Sequence, residues 1–439
     1  MKRFTFNKQF MVLMFLLLNC FASYATGEDL ITKQITIKLT EAGTLPNKIA
    51  SNKKNLVTNL KIIGEINGTD LRFIREMAGC YRYSTSSSNL SVLDLSEARI
   101  VKGGSSYDYE KHYTSNDIIG GNTFYNCTSL TSIKLPSSVI WIEDSVFVSC
   151  TSLTSVNIPS SITKIGNGAF SGCTSLTSVD IPSSMIKIGS GAFSGCTSLT
   201  SIDIPSSVIR IENESFQNCT SLTSVNIPSG VSWIGNEVFQ NCTSLTSVNI
   251  PSSVTYIGWR AFSGCTSLTS VNIPSSVTLI PYETFSDCCS LTSIKIPSSV
   301  TMIGGSAFYN CTSLTSVKIP SSVTEIGEAV FYECNNLKSI YVFAEDVPSI
   351  NTDAFKGCDS KNCIVYVPKG TYDAYWLSEF GYFENIIEFD ATSIHNTIAT
   401  PKAQETARYA VNGQRLTAPI NGINLVKYSD GTVKKEFVK

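Results

Sequence analysis

The stretch CTSLTSVDIPSSMIKIGSGAFSG, Cys173–Gly195, is one of a series of near copies that follow one another along most of the chain. A phenylalanine followed three positions later by a cysteine returns every 23 residues, from Phe124/Cys127 and Phe147/Cys150 to Phe331/Cys334. A fixed period of this length marks a solenoid, because each unit is too short to bury an apolar face alone and must stack on its neighbours. Function is then sought in the positions that vary from turn to turn, since the rest of the unit builds a one-dimensional core.

Within the unit, Leu153, Val156 and Ile158 show the apolar pattern of a leucine-rich-repeat strand, and alternation leaves the third and fifth positions of the strand outside. A proline closes each strand (Pro136, Pro159, Pro182 and their equivalents), where a missing N–H interrupts a parallel ladder. A second short extended piece follows, with Val and Ile inward, then a Gly-containing turn and an Ala-Phe-x-x-Cys segment expected to be irregular or a single helical turn. Ten or eleven such coils at about 4.8 Å per rung give a body roughly 50 Å long. Columns of Leu, Ile, Val and Phe hold it together, each large side chain contributing about 1.5–3 kcal/mol before entropy is subtracted. The expected fold is a mainly β, leucine-rich-repeat-like solenoid, wound as a right-handed coil and capped at both ends.

The chain has 439 residues, only 15% of them charged, and a formal net charge of -2. No basic domain or Lys/Arg run is present, which argues against a nucleic-acid or anionic-membrane surface. At the N-terminus, Lys2, Arg3 and Lys8 precede an apolar run from Phe10 to Leu18 and the small-x-small site Ser23-Tyr24-Ala25. This is the pattern of a secretory signal peptide over residues 1–25. The run is shorter than the roughly 20 residues that span a bilayer. Lipidation at Cys20 is a weaker alternative, because Asn19 is not the small residue that such a site prefers.

Fifteen cysteines in an exported chain would ordinarily suggest a disulfide framework. Ten of them (127, 150, 173, 196, 219, 242, 265, 288, 311 and 334) share one repeat position. Stacking aligns their Cβ vectors where a disulfide needs convergent ones, so all ten are expected to be buried free thiols. Cys358 and Cys363 lie outside this column and are candidates for a bridge; Cys80 and Cys289 are unassigned. Zinc is not expected, since no Cys-x-x-Cys pair exists and His112 and His395 are the only histidines. No cofactor is indicated.

The expected organisation is a signal peptide at 1–25, an N-terminal cap at 26–118, the solenoid at 119–339 and a C-terminal cap at 340–389. A linker at 390–406 and a small β unit at 407–439 complete it. The N-terminal cap shows strand-like pieces around Leu60-Lys61-Ile62 and Leu90–Leu95, with a short helix from Asp70 to Met77. In the C-terminal unit, Asn412-Gly413, Asn421-Gly422 and Asp430-Gly431 are hairpin signals.

The repeats resemble the BspA-like leucine-rich-repeat family, whose 23-residue unit x-A-F-x-x-C-x-x-L-x-x-I-x-I-P matches nearly every coil from Phe124 to Phe355. Glu41-Ala42-Gly43-Thr44 and Leu71–Met77 look like the cap that accompanies such repeats in Bacteroidetes proteins. The C-terminal piece, with Asn412-Gly413-Gln414-Arg415 and Asp430-Gly431, is similar to short tails of exported proteins in those bacteria, some of which direct sorting to the surface. The resemblance implies secreted or surface-exposed binding proteins, including adhesins for host proteins and for other bacteria.

Two outward faces are candidates for binding. On the first strand the third position is serine throughout and the fifth runs Lys134, Asn157, Asp180, Asp203, Asn226, Asn249, Asn272, Lys295, Lys318. Such a face either engages a repetitive partner or is a solvated ladder. Before the isoleucine of the second strand the sequence varies most: Trp141, Lys164, Lys187, Arg210, Trp233, Tyr256, Leu279, Met302, Glu325. Lys164, Lys187 and Arg210 are expected to form a basic strip. Trp233, Tyr256, Leu279 and Met302, with Trp259 and Tyr282 three residues further along two coils, are expected to form an aromatic and apolar patch, unless it is partly buried. Trp, Tyr and Arg dominate interface energetics.

Catalysis is not indicated: no Gly-x-Ser-x-Gly elbow or phosphate-binding loop occurs, and Asp180 and Asp203 are equivalent ladder positions. The expected function is a non-catalytic, adhesin-like binding protein, secreted or held on the cell surface. It would act as a monomer on a host or microbial protein or glycan, with no nucleic acid and no membrane span. A passive surface spacer is the alternative.

Overall fold

The structure, a computed structural model, describes residues 29–80, 88–108, 111–390, 405–410, 414–416, 418–428 and 433–438. The signal peptide, Cys20, residues 391–404 of the expected linker and the Asn412-Gly413 and Asp430-Gly431 turns lie outside the described residues.

In all but one of the regular turns the alternating stretch becomes a strand of about three residues whose Val or Ile is buried between two outward residues, as in Ser155–Asn157 and Ser224–Asn226. Stacking pairs these strands in parallel one repeat apart: Ser201 with Ser224, Ser224 with Ser247, Ser247 with Ser270. The following proline cannot donate to the ladder. Its carbonyl instead accepts from the residue three positions on, as Pro228 does from Val231 at 3.0 Å, and the chain turns. A two-residue strand comes next, such as Trp233–Ile234, with its isoleucine buried.

The segment after it is irregular, without a helical turn. Two residues per turn, four apart, adopt left-handed backbone: Ser145/Ser149, Glu214/Asn218, Glu237/Asn241, Glu283/Asp287 and Ser306/Asn310 have φ of 53–59°. Each such non-glycine residue costs about 1–2 kcal/mol. The conformation persists because it aims amides at the next turn: Ser145 donates to Asn167, Phe147 to Ala169 and Ser149 to Ser171, at 2.7–2.9 Å.

Inside, Phe124 to Phe355 form a column of near-parallel rings with consecutive centroids 5.0–5.9 Å apart. Beside it, the cysteines of the repeat column from Cys150 to Cys334, Cys289 lying outside it, are buried free thiols. Each donates its S–H to the phenylalanine carbonyl of the preceding turn, Cys150 to Phe124 at 3.0 Å and Cys242 to Phe216 at 3.2 Å. Burial pushes the Cys219 and Cys265 thiols up to about 12, so they stay protonated donors.

Three cysteine expectations need correction. Cys127 is not a free thiol but is bonded to Cys80. Cys80 comes from the aperiodic segment before the repeats, so its Cβ is not bound by the parallel alignment that keeps stacked equivalents apart. Cys358 and Cys363 do not bridge; both are free and buried. Cys358 in fact extends the column, donating to Phe331 at 3.2 Å from a turn one residue longer than the rest.

The segments flanking the repeats carry more of the ladder than their sequences suggest. Ile35–Lys38, Asn59–Ile66 and Val92–Ile100 pair in parallel in chain order, and the last pairs with Ser132–Lys134. Helix Gly68–Met77, closed by an Asn67/Asp70 capping box, lies between two of these strands, and Arg75 donates to the Thr123 carbonyl at 2.7 Å. At the other end Ser339–Val342, Ile364–Pro368 and Asn385–Phe389 continue the sheet, while Phe380 and Phe383 pack at an angle on Phe355. With these strands the solenoid has about 15 turns, where the regular repeats alone predict ten or eleven.

The first-strand ladder is interrupted at Ser178–Asp180, which separates a five-stranded from a nine-stranded sheet. The C-terminal residues form a separate antiparallel sheet in the order Arg415–Leu416, Glu405–Ala410, Gly422–Tyr428, Val433–Val438. In it, Arg408 pairs with Glu436 at 2.8 Å, and the buried Asn424 side chain donates to the Ile420 carbonyl at 2.7 Å.

Candidate functional site

The two-residue strands present their variable residue outward while the following isoleucine anchors the rung. They form three ladders rather than one: Ile118 to Ile188, Arg210 to Ile257, and Leu279 to Ile350. This division changes how the candidate residues meet. Lys164 and Lys187 share a ladder, and Lys164 reaches back over the Trp141 ring at 5.9 Å. Arg210 belongs to the next ladder, where its guanidinium lies 4.2 Å from the Trp233 ring centroid. The expected basic strip is therefore split, and its arginine joins the aromatic residues.

Trp233 and Tyr256, paired in register, stack with centroids 5.6 Å apart and planes at 8°. Arg210, Trp233 and Tyr256 thus form a three-layer stack. Leu279 and Met302 are paired in the third ladder and continue to Glu325. Trp259 and Tyr282 occupy equivalent positions on adjacent turns, and each is 45% exposed. Tyr256 and Leu279 are exposed as well, whereas Trp233 and Met302 are half-buried.

Charged neighbours fix this region. Arg260 bonds to Glu283, lies 3.8 Å from Glu237, and sits over the Tyr282 ring at 5.7 Å. Burial acts to raise the Glu283 carboxyl, but hydrogen bonds from Arg260 and Tyr282 and the arginine charge hold it below its ordinary value. The same bond to Glu283, followed by burial, pushes the Tyr282 hydroxyl up.

Several features escape sequence reading. Ile140, Ile186 and Ile209 are 52–58% exposed beside Trp141, Lys187 and Arg210. Their signal is that the same position is Thr or Ser in the other turns, as at Thr163, Ser232, Thr255 and Thr278. The first-strand face also ends in stacked aromatics, Tyr341 and Tyr366, 4.5 Å apart. Among the described residues, no group of three or more His, Cys, Asp or Glu gathers to hold a metal, and no helix is long and apolar enough to cross a membrane.

Short parallel strands stacked one repeat apart over columns of Leu, Ile, Val and Phe define a leucine-rich-repeat solenoid. The chain belongs to the BspA-type leucine-rich-repeat family: the profile of the BspA type leucine rich repeat region matches in six copies, over residues 117–246 and 232–362. Proteins of this type are generally non-catalytic and commonly bind proteins. Among solved structures the chain is similar to a leucine rich cell surface protein from Faecalibacterium prausnitzii A2-165, at 30% identity over 70% of this chain and 90% of that one, with a TM-score of 0.43. It is also similar to a leucine-rich repeat protein from Bacteroides ovatus ATCC 8483, at 28% identity over 64% and 90% of the two chains, with a TM-score of 0.38. The leucine rich repeat protein of T. pallidum shares 30% identity over 42% and 78%, with a TM-score of 0.31. No curated protein matches the chain.

Proposed function

We propose that the chain is a non-catalytic, adhesin-like binding protein, secreted or held on the cell surface as a monomer. It engages a protein or glycan partner through the second-strand face between Lys164 and Met302. The observation that carries this reading is the ordered stack of Arg210, Trp233 and Tyr256, with exposed Trp259 and Tyr282 beside it. The fold does not require aromatic residues there, because other turns hold Lys164 or Asn213 at the same positions. Rings already immobilised on a rigid ladder lose little freedom on binding, and many weak contacts along one axis add by avidity. In this reading residues 26–118 and 340–389 close the ends, and residues 407–439 serve sorting or attachment.

The test is an array of matrix proteins, plasma proteins and glycans probed with the mature chain and with a Trp233→Ala/Tyr256→Ala variant. Loss of two central aromatic anchors is expected to weaken binding by at least about tenfold while circular dichroism is unchanged. Equal binding by a folded variant would discard this face. The passive-spacer alternative draws on the uniform first-strand face, and predicts that the mature chain captures no partner on the array.

A further inference from the structure

The solenoid repeatedly seats a cation against an aromatic ring on the adjacent turn: Lys164 over Trp141, Arg210 over Trp233 and Arg260 over Tyr282. Tyr282 receives its cation from the turn before. On the turn after it, the equivalent of Tyr282 is Gly305, and one turn further it is Glu328. The missing side chain opens a cleft of about 430 Å³ walled by Tyr282, Met302, Glu325 and Glu328 and floored by glycine.

The three floor glycines do not have one cause. A Cβ on Gly304 or Gly327 would fall 2.7 Å or 2.4 Å from backbone of the neighbouring turn, so a side chain at either would make that backbone shift, although Glu143, Glu212 and Pro281 hold the equivalent position in other turns. Gly305 is different. Its φ is not left-handed, and a Cβ there would meet nothing closer than 3.3 Å. Equivalent positions in other turns hold Asp144, Ser190, Asn213 and Trp259. The fold therefore accepts a side chain at this position, and its absence leaves the next-turn side of Tyr282 open.

The carboxylates of the cleft have the chemistry to complete such a seat. Glu237 and Glu283, on earlier turns, are engaged by Arg260. Glu325 and Glu328 make no ion pair among the described residues. A ring on one wall and two carboxylates on the other match a cation carried on an apolar stem, and they repel an anion. We propose that this cleft takes one lysine or arginine side chain of a protein partner. The proposal rests on the binding-face reading above and gives it a partner chemistry: a polypeptide with an exposed basic residue at the point that meets Tyr282.

The test uses the mature chain with isotope-labelled tyrosine rings, the Tyr282 signal being assigned through Tyr282→Phe. The probes are N-acetyl-arginine methylamide, N-acetyl-lysine methylamide, the neutral citrulline counterpart and methyl glucoside. The expected result is a saturable shift of the Tyr282 signal with the two cations at millimolar concentration and none with citrulline or the sugar. Glu325→Gln/Glu328→Gln should weaken that binding by about fivefold or more. Gly305→Asn, which copies Asn213, should abolish it in a chain with wild-type circular dichroism. The proposal is overturned by an equal shift with citrulline or the glucoside, by no saturable shift, or by a folded Gly305→Asn chain that titrates as wild type. Because no macromolecule is needed, this titration can fail while the array succeeds, which removes the cleft and leaves the face.

Discussion

The first-strand and second-strand faces share the same ladder geometry and differ in what their side chains do. On the first, threonine hydroxyls in most turns donate to the carbonyl of the threonine one turn back: Thr154 to Thr131 at 3.0 Å, Thr223 to Thr200 at 3.2 Å, Thr269 to Thr246 at 3.2 Å. That face supplies partners for its own polar groups. The second face makes such bonds too, Thr255 to the Ser232 carbonyl at 3.2 Å and Thr301 to that of Thr278 at 3.3 Å, but it also turns Ile186, Lys187, Ile209 and Tyr256 toward solvent. Stability comes from what is repeated, and recognition is available where repetition is broken.

If both faces hang on one ring column, Phe239→Ala should cost about 3–5 kcal/mol, seen by denaturant unfolding, and should weaken binding and fold together. A loss below about 1 kcal/mol would mean that the column does not support the faces. A sharper comparison sets Thr223→Val, on the self-bonded face, against the Trp233/Tyr256 variant. Loss of the Thr223 hydroxyl should lower stability by about 0.5–1.5 kcal/mol and leave partner affinity unchanged. A drop in affinity there would move the binding site to the first strand. The smallest effect is expected away from both faces: Ser149→Gly relieves a left-handed serine and should raise stability by about 1 kcal/mol or less. A decrease in the unfolding midpoint would contradict the backbone account of the turn.

Much of the fold is legible in the sequence because a 23-residue period forces equivalent atoms into columns. Phe124 to Phe331, the inward Val and Ile of both strands, and the thiols from Cys150 to Cys334 follow from that one fact. What the period does not reach is harder to read. The Cys80–Cys127 bond joins an aperiodic residue to a periodic one, and no spacing announces it. Val92–Ile100 pairs with Ser132–Lys134 across 40 residues, so the shared register of the flanking turns is hidden by unequal loops.

At the candidate face the sequence identifies which side chains vary but not how the rungs divide. The separation of Arg210 from Lys187, and its placement on Trp233, is a matter of ladder breaks and side-chain reach. The Gly305 cleft is an absence, visible only when its neighbours on adjacent turns are set beside it.

The row of sealed thiols carries a consequence for the biography of the molecule. Eleven of the twelve free cysteines among the described residues are buried, and each of these is protected only by the winding of the chain around it. Before that winding, if the chain is exported as proposed and meets an oxidising compartment, the same sulfurs are exposed nucleophile precursors open to mispairing with one another. Under that proposal assembly must outrun oxidation the first time, and unwinding under oxidant becomes a one-way door, so durability there is a question of rates more than of equilibrium.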